Sequence, residues 1–250
     1  MRRNRTKAPL SLALLVTLLC WPMPAPAASD TYDWFEGATG YEEVFALAKV
    51  GDRPFLLLFA VDWCGYCKRL KKDYLNMSPV EDVVGDHLRV EINPEDGAAE
   101  RKIANAYGVK GYPTFLVLYP GQETYRVGPF RQSGAMTNEE FAEEIKTAVA
   151  WSHAKRGAAF WKAREYRAAL PFFEHAVKIQ PDYEWGHYGQ GLSWVRIGAA
   201  EKDVELLRRG EASLQKAVGM KPDHTEARQE LEAVRKLLAN KSAAEGGGSH

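Results

Sequence analysis

The sequence predicts an α/β domain built on a mixed sheet flanked by helices, followed by an all-α segment. Three observations carry this reading. Phe55 to Val61 is uninterruptedly apolar, the pattern of a strand buried on both faces, and Leu88 to Asn93 and Thr114 to Tyr119 read as further core strands. Helical spacing fills the gaps between them, and the last strand returns as a hairpin, so parallel and antiparallel pairings are combined. Beyond Trp151 no strand signal survives.

The elements follow in order. Tyr41, Val44, Phe45 and Ala48 recur at helical spacing within 40–50, and Pro54 opens the first core strand. A basic helical stretch begins at Cys64 and runs through Leu75. After the strand at Leu88, Gly97 to Tyr107 reads as a helix stopped by Gly108. Pro120-Gly121 turns the strand at Thr114 into Glu123 to Val127. Thr137-x-x-Glu140 has the form of a capping box, opening a helix expected to end near Trp151.

The N-terminus reads as an export signal. Arg2, Arg3, Arg5 and Lys7 precede the uncharged run Leu10 to Trp21, and Ala25-Pro-Ala27 fits a cleavage site after Ala27. A spanning helix needs ~20 apolar residues, so this run implies contact with a membrane only during export. Cys20 follows Leu19 rather than a small residue, which argues against lipid attachment. The expected divisions are residues 1–27 as signal peptide, 28–150 as the α/β domain, 151–240 as helices and 241–250 as a disordered tail. The mature chain is expected to be periplasmic or secreted. Lys plus Arg and Asp plus Glu both total 33, and this zero balance gives no reason to expect a nucleic-acid partner.

Cleavage after Ala27 leaves two cysteines, Cys64 and Cys67. A disulfide between them closes too small a loop to serve as a staple, and this points to chemistry. Directly after a buried strand, Trp63-Cys64-Gly65-Tyr66-Cys67-Lys68 sets Cys64 at a helix N-terminus. Unpaired N–H groups and the helix dipole there favour thiolate over thiol, and Lys68 adds positive charge. Cys64 is then the attacking thiol and Cys67, one turn further in, the resolver. No metal is expected: a structural zinc site needs four ligands, and His87 is the lone histidine of the α/β segment.

Residues from about Tyr41 to Ile145 resemble a thioredoxin-fold domain. The resemblance rests on Asp62-Trp-Cys-Gly-Tyr-Cys-Lys68 after a strand, on Tyr107-Gly-Val-Lys-Gly-Tyr-Pro-Thr114, and on the hairpin ending in Gly128. It implies a reversible Cys64–Cys67 disulfide with no other cofactor and a cis-proline at Pro113 facing it. It also implies a substrate-binding rim of Trp63, Gly65, Tyr66, Tyr112 and Pro113, where an extended chain docks like an added strand. Two departures stand out. Many relatives bury a carboxylate six positions before the first cysteine, where this chain has Leu58. Glu91 from the next strand and Asp62 are the candidates to replace it. The dipeptide Gly65-Tyr66 differs from the Gly-Pro of reducing thioredoxins and leaves the redox direction open.

Gly157, Phe160, Tyr166, Ala169, Phe173, Ala176 and Pro181 resemble a tetratricopeptide repeat. A weaker copy has Gly191, Trp194, Leu214, Ala217 and Pro222, with surplus residues expected in an Ala199–Glu205 turn. Asp223 to Leu238 reads as a closing helix. The leading expectation is an exported thiol–disulfide oxidoreductase acting on protein cysteines, with the repeats recruiting a substrate, a redox partner or a peptide ligand. The competing expectation is a redox-silent adaptor in which the helices bind a partner and the α/β domain is structural.

Overall fold

The computed structural model describes residues 33–128 and 136–246, with side chains through residue 242. The signal peptide, its cleavage site and Cys20 lie outside the described residues.

Five strands form one sheet. They are β1 (Phe35–Glu36), β2 (Phe55–Phe59), β3 (Leu88–Ile92), β4 (Thr114–Leu118) and β5 (Thr124–Val127), in the spatial order β1-β3-β2-β4-β5. β3 lies parallel to both β1 and β2, whereas β4 is antiparallel to β2 and to β5. The mixed sheet is the one expected. Every residue of β2 is fully buried, which explains its unbroken apolar run. Phe55, Leu57 and Phe59 pack with α1 (Gly37–Val50) and α4 (Ala98–Ala106) on one face. Leu56 and Leu58 pack on the other face with α2 (Gly65–Arg69), α3 (Val80–Gly85) and the start of α5 (Asn138–Lys162). After Arg69 the winding loosens to a π-helical turn over Leu70–Leu75. The two-residue β1 and the six-residue α3 went unpredicted, being too short for a periodic signal.

Several bounds differ from expectation. The first core strand ends at Phe59, short of Val61, and the second at Ile92. The larger correction concerns α5. It continues past Trp151 to Lys162, so the division placed at 150/151 falls inside one helix of 25 residues. No proline interrupts 150–159, Gly157 is accommodated by its burial against α6, and the helix buries residues from Phe141 to Gly157. Phe141, Ile145 and Val149 join the sheet's core, while Ala150 and Ala154 join a second cluster with Phe173 and Ala176. The predicted capping box is present: the Glu140 N–H donates to Thr137 Oγ1 at 3.1 Å, and the Thr137 N–H donates to the Glu140 carboxylate at 2.8 Å.

Four more helices complete an all-helical region of five: α6 (Tyr166–Ile179), α7 (Glu184–Glu201), α8 (Val204–Met220) and α9 (Thr225–Gly246). Consecutive helices pack on one another. The turn expected over Ala199–Glu205 shrinks to Lys202 and Asp203. Lys202 takes a left-handed conformation, and the Asp203 side chain accepts from the N–H groups of Glu205 and Leu206. The last helix runs to Gly246 rather than giving way to a tail at 241, because Lys241-Ser-Ala-Ala-Glu245 contains good helix formers.

Candidate active site

β2 delivers the chain to the end of the sheet where Ala60 N–H still bonds the Ile92 carbonyl at 3.1 Å. Val61, Asp62 and Trp63 then turn into α2, whose N-cap is Cys64. Cys64 and Cys67 are joined by a disulfide with Cα atoms 5.3 Å apart. The Cys67 N–H donates to Cys64 Sγ at 3.0 Å, so the sulfur takes the place that a Ser or Asp oxygen fills at an ordinary helix start. Such donors and the helix dipole stabilise negative charge on that sulfur. Cys64 is 5% exposed and Cys67 2%, the order that an outer and an inner thiol require.

The Tyr112–Pro113 bond is cis, as the motif implied, and so is Ser78–Pro79, which no motif announced. Thr114 pairs with Phe59 in the antiparallel register, so Tyr112 and Pro113 reach the same end of the sheet as the cysteine turn. Tyr112 packs against the core cluster that contains both cysteines and meets the edge of Trp63 at 6.3 Å between ring centroids. Thr114 Oγ1 donates to the Gly111 carbonyl and accepts from Arg126 at 2.8 Å, which secures the proline turn.

Trp63 is 68% exposed, an unusual setting for so large an apolar ring. Its Nε1–H donates to both carboxylate oxygens of Glu95 at 3.1 Å. Sequence reasoning missed Glu95. It sits in the Asn93–Asp96 turn, held by its own N–H donating to Asn93 Oδ1, and no periodicity marks such a turn residue. Tyr66 carries Arg69 over its ring at 4.7 Å. Gly65 is exposed, and a Cβ there would meet nothing within 4 Å. Asp62 and Lys68 are both exposed.

Leu58 is fully buried at the position where a carboxylate was sought. Glu91 is its register partner on β3 and forms an ion pair with Lys71, a partner the sequence did not reveal. Among the described residues no cluster of three or more His, Cys, Asp or Glu side chains is arranged to hold a metal ion, and no helix is long and apolar enough to cross a membrane. In the helical region Trp151, Trp161, Phe173, Tyr183, Trp185 and Tyr188 line a cavity of about 430 Å³.

Mixed sheet, cysteine-capped helix and cis-proline define a thioredoxin-like α/β domain with a Cys-x-x-Cys disulfide. Comparison with known proteins agrees: residues 41–148 match the family model of the thioredoxin-like domain. Protein disulfide-isomerase A2 of Homo sapiens is 27% identical over 155 residues, covering 58% of this chain and 29% of that protein. Protein disulfide isomerase-like 2-2 of Oryza sativa subsp. japonica is 28% identical over 144 residues, covering 57% and 36%. The chain thus spans 29% and 36% of the length of these two relatives. Among solved structures, a thioredoxin from Thermus thermophilus has 26% identity and a TM-score of 0.36, covering 46% of this chain and 85% of that chain. A DsbH oxidoreductase has 21% identity and a TM-score of 0.40, covering 52% and 92%.

Proposed function

We propose that this chain is an exported thiol–disulfide oxidoreductase that works on protein cysteines by opening and closing Cys64–Cys67. The observation that carries the reading is Cys64 as a helix N-cap, its sulfur accepting an N–H at 3.0 Å beside the less exposed Cys67. In the reductive direction the Cys64 thiolate attacks one sulfur of a substrate disulfide and expels the other as a thiolate. Cys67, deprotonated, attacks the Cys64 sulfur, releases the second substrate thiolate and restores the disulfide. The reverse sequence oxidises a substrate dithiol. Trp63, Tyr66 and the Tyr112–Pro113 segment form the rim on which the substrate chain lies.

The helical region fits tetratricopeptide-like repeats that bring a protein substrate or redox partner to this site, with the aromatic cavity as the place of contact. The basic and apolar N-terminus fits a periplasmic or secreted location.

The test is the redox equilibrium of the cysteine pair in glutathione buffers, with alkylation of Cys64 followed against pH. A Cys64 thiolate forming well below the free-cysteine value of ~8.5, with Cys67→Ser accumulating a mixed disulfide and Cys64→Ser accumulating none, supports the enzyme. An unperturbed Cys64 in a pair that does not cycle overturns it and leaves the helical region as the acting half.

A further inference from the structure

We infer that Trp63 and Glu95 together form a subsite for a guanidinium, so that the protein cysteines this rim favours are those flanked by arginine. This rests on the oxidoreductase reading above and names the substrate class within it.

The argument starts from the exposure of Trp63. The residue immediately precedes Cys64, so a chain that engages the Cys64 sulfur lies beside its ring. An indole 68% exposed leaves most of its apolar surface in water, which burial against the core would avoid. Its orientation is nevertheless fixed. The Nε1–H donates to both oxygens of Glu95 at 3.1 Å, and the Tyr112 ring meets it at 79° between planes. Glu95 is held in turn, since its own N–H donates to Asn93 Oδ1 at 3.0 Å, and the Asn93 amide donates to Asp96 Oδ1 at 2.7 Å. Ring and carboxylate therefore form one preformed unit on the surface.

That unit has the chemistry of a cation site. The face of an indole carries the negative part of its quadrupole and attracts a cation more strongly than Tyr or Phe does. A carboxylate offers about four lone-pair sites, and one shared N–H leaves most of them open. A planar cation can stack on the ring while its edge N–H groups reach the carboxylate beside it. A guanidinium has that shape, whereas an ammonium is a compact point charge that does not stack.

The surrounding charges agree. Asp62 and Asp96, next to Trp63 and Glu95 in the chain, are exposed and add negative potential. Of the cations that follow Cys67, Arg69 is held over the Tyr66 ring at 4.7 Å and Lys71 contacts Glu91, so both are committed to other partners. Lys68 is exposed on α2, one turn past Cys64.

The test uses the pre-reduced full chain and peptides whose single cysteine is disulfide-bonded to 5-thio-2-nitrobenzoate. The Cys64 thiolate attacks the peptide sulfur, the Cys64–peptide bond forms, and the coloured thiolate leaves with the electron pair of the broken bond. The peptides are Gly-Arg-Cys-Ser-Gly and Gly-Ser-Cys-Arg-Gly, each with counterparts in which Gln or Lys replaces Arg. The readout is the ratio of the Arg rate to the Gln rate within one protein sample, so a general slowing or a partly unfolded variant cancels. Expected for the wild type, in one or both placements, is a ratio of roughly five at about 0.01 M salt, with the Lys ratio lower. The ratio should fall by roughly half or more at about 1 M salt, where the Debye length is about 3 Å. Glu95→Gln keeps an acceptor for the Trp63 N–H but removes the charge, and should bring the ratio below about two. A wild-type ratio of one in both placements, or a ratio that Glu95→Gln leaves intact, overturns the inference while the enzyme stands. Release no faster than that of Cys64→Ser from every peptide overturns the enzyme reading itself.

Discussion

Phe173 shows how much a single position depends on what faces it. Its ring is 4% exposed and lies between two glycines: a Cβ on Gly157 would sit 3.1 Å from its Cζ, and one on Gly189 only 2.2 Å from its Cε1. Gly189→Ala would gain up to ~1 kcal/mol of helix propensity, but overpacking a buried ring costs ~1–3 kcal/mol, and at 2.2 Å the ring must shift. A net loss of about 1–2 kcal/mol is expected, read as a lower urea midpoint at unchanged slope. The repeat pattern picked out Gly157 and Phe173 but not Gly189. Gly189 is required by the approach of α7 to the Phe173 ring on α6, a contact that no neighbouring residue in the chain announces.

The helix α5 makes the case at the next scale. Its start was readable from four residues, since a capping box is a local arrangement in which Thr137 and Glu140 satisfy each other's N–H groups. Thr137→Ala removes one acceptor and should cost about 1 kcal/mol, visible as a fall of several degrees in the thermal midpoint with the redox reaction unaffected. Its end was not readable. Whether a helix stops near Trp151 or runs on depends on what its next turns bury, and those turns bury Ala154 and Gly157 against α6. One helix thus contributes apolar residues to the core of the sheet and to that of the helical region.

For the whole molecule, the second half of α5 is tied back to the α/β domain. Arg156 donates to both carboxylate oxygens of Asp52 at 2.8 and 3.0 Å, Lys155 meets Glu123 at 2.7 Å, and His153 Nδ1 bonds the Tyr119 hydroxyl at 2.8 Å. Burial, with the imidazoles of His175 on α6 and His87 before β3, pushes His153 down to about 3. His87 is lowered as well, chiefly by burial. A ring held neutral in the fold but protonated near 6.5 when unfolded means that the unfolded chain binds more protons between those values. Stability is therefore full above pH ~6.5 and falls as the pH drops towards ~3. Urea titrations between pH 7 and 4 should show His153 contributing a loss of about 2 kcal/mol, well under the full shift because the ring keeps some contact with water. His153→Gln should flatten that part of the profile.

The sequence by itself determined the core strands of the α/β domain, the cysteine-capped helix and the start of α5, because each is written in neighbouring residues, while the cis bond at Pro113 followed from the family resemblance. A buried strand is an apolar run, and an N-cap or a proline turn needs only a few positions in order. Tertiary structure alone decided the pairing of Glu91 with Lys71, the bond from Trp63 to Glu95, the continuity of α5 and the shortness of the turn before α8. Each joins groups distant in the chain, or sets a boundary by what is buried against it. Register across strands and packing between helices, rather than local preference, bring those groups together.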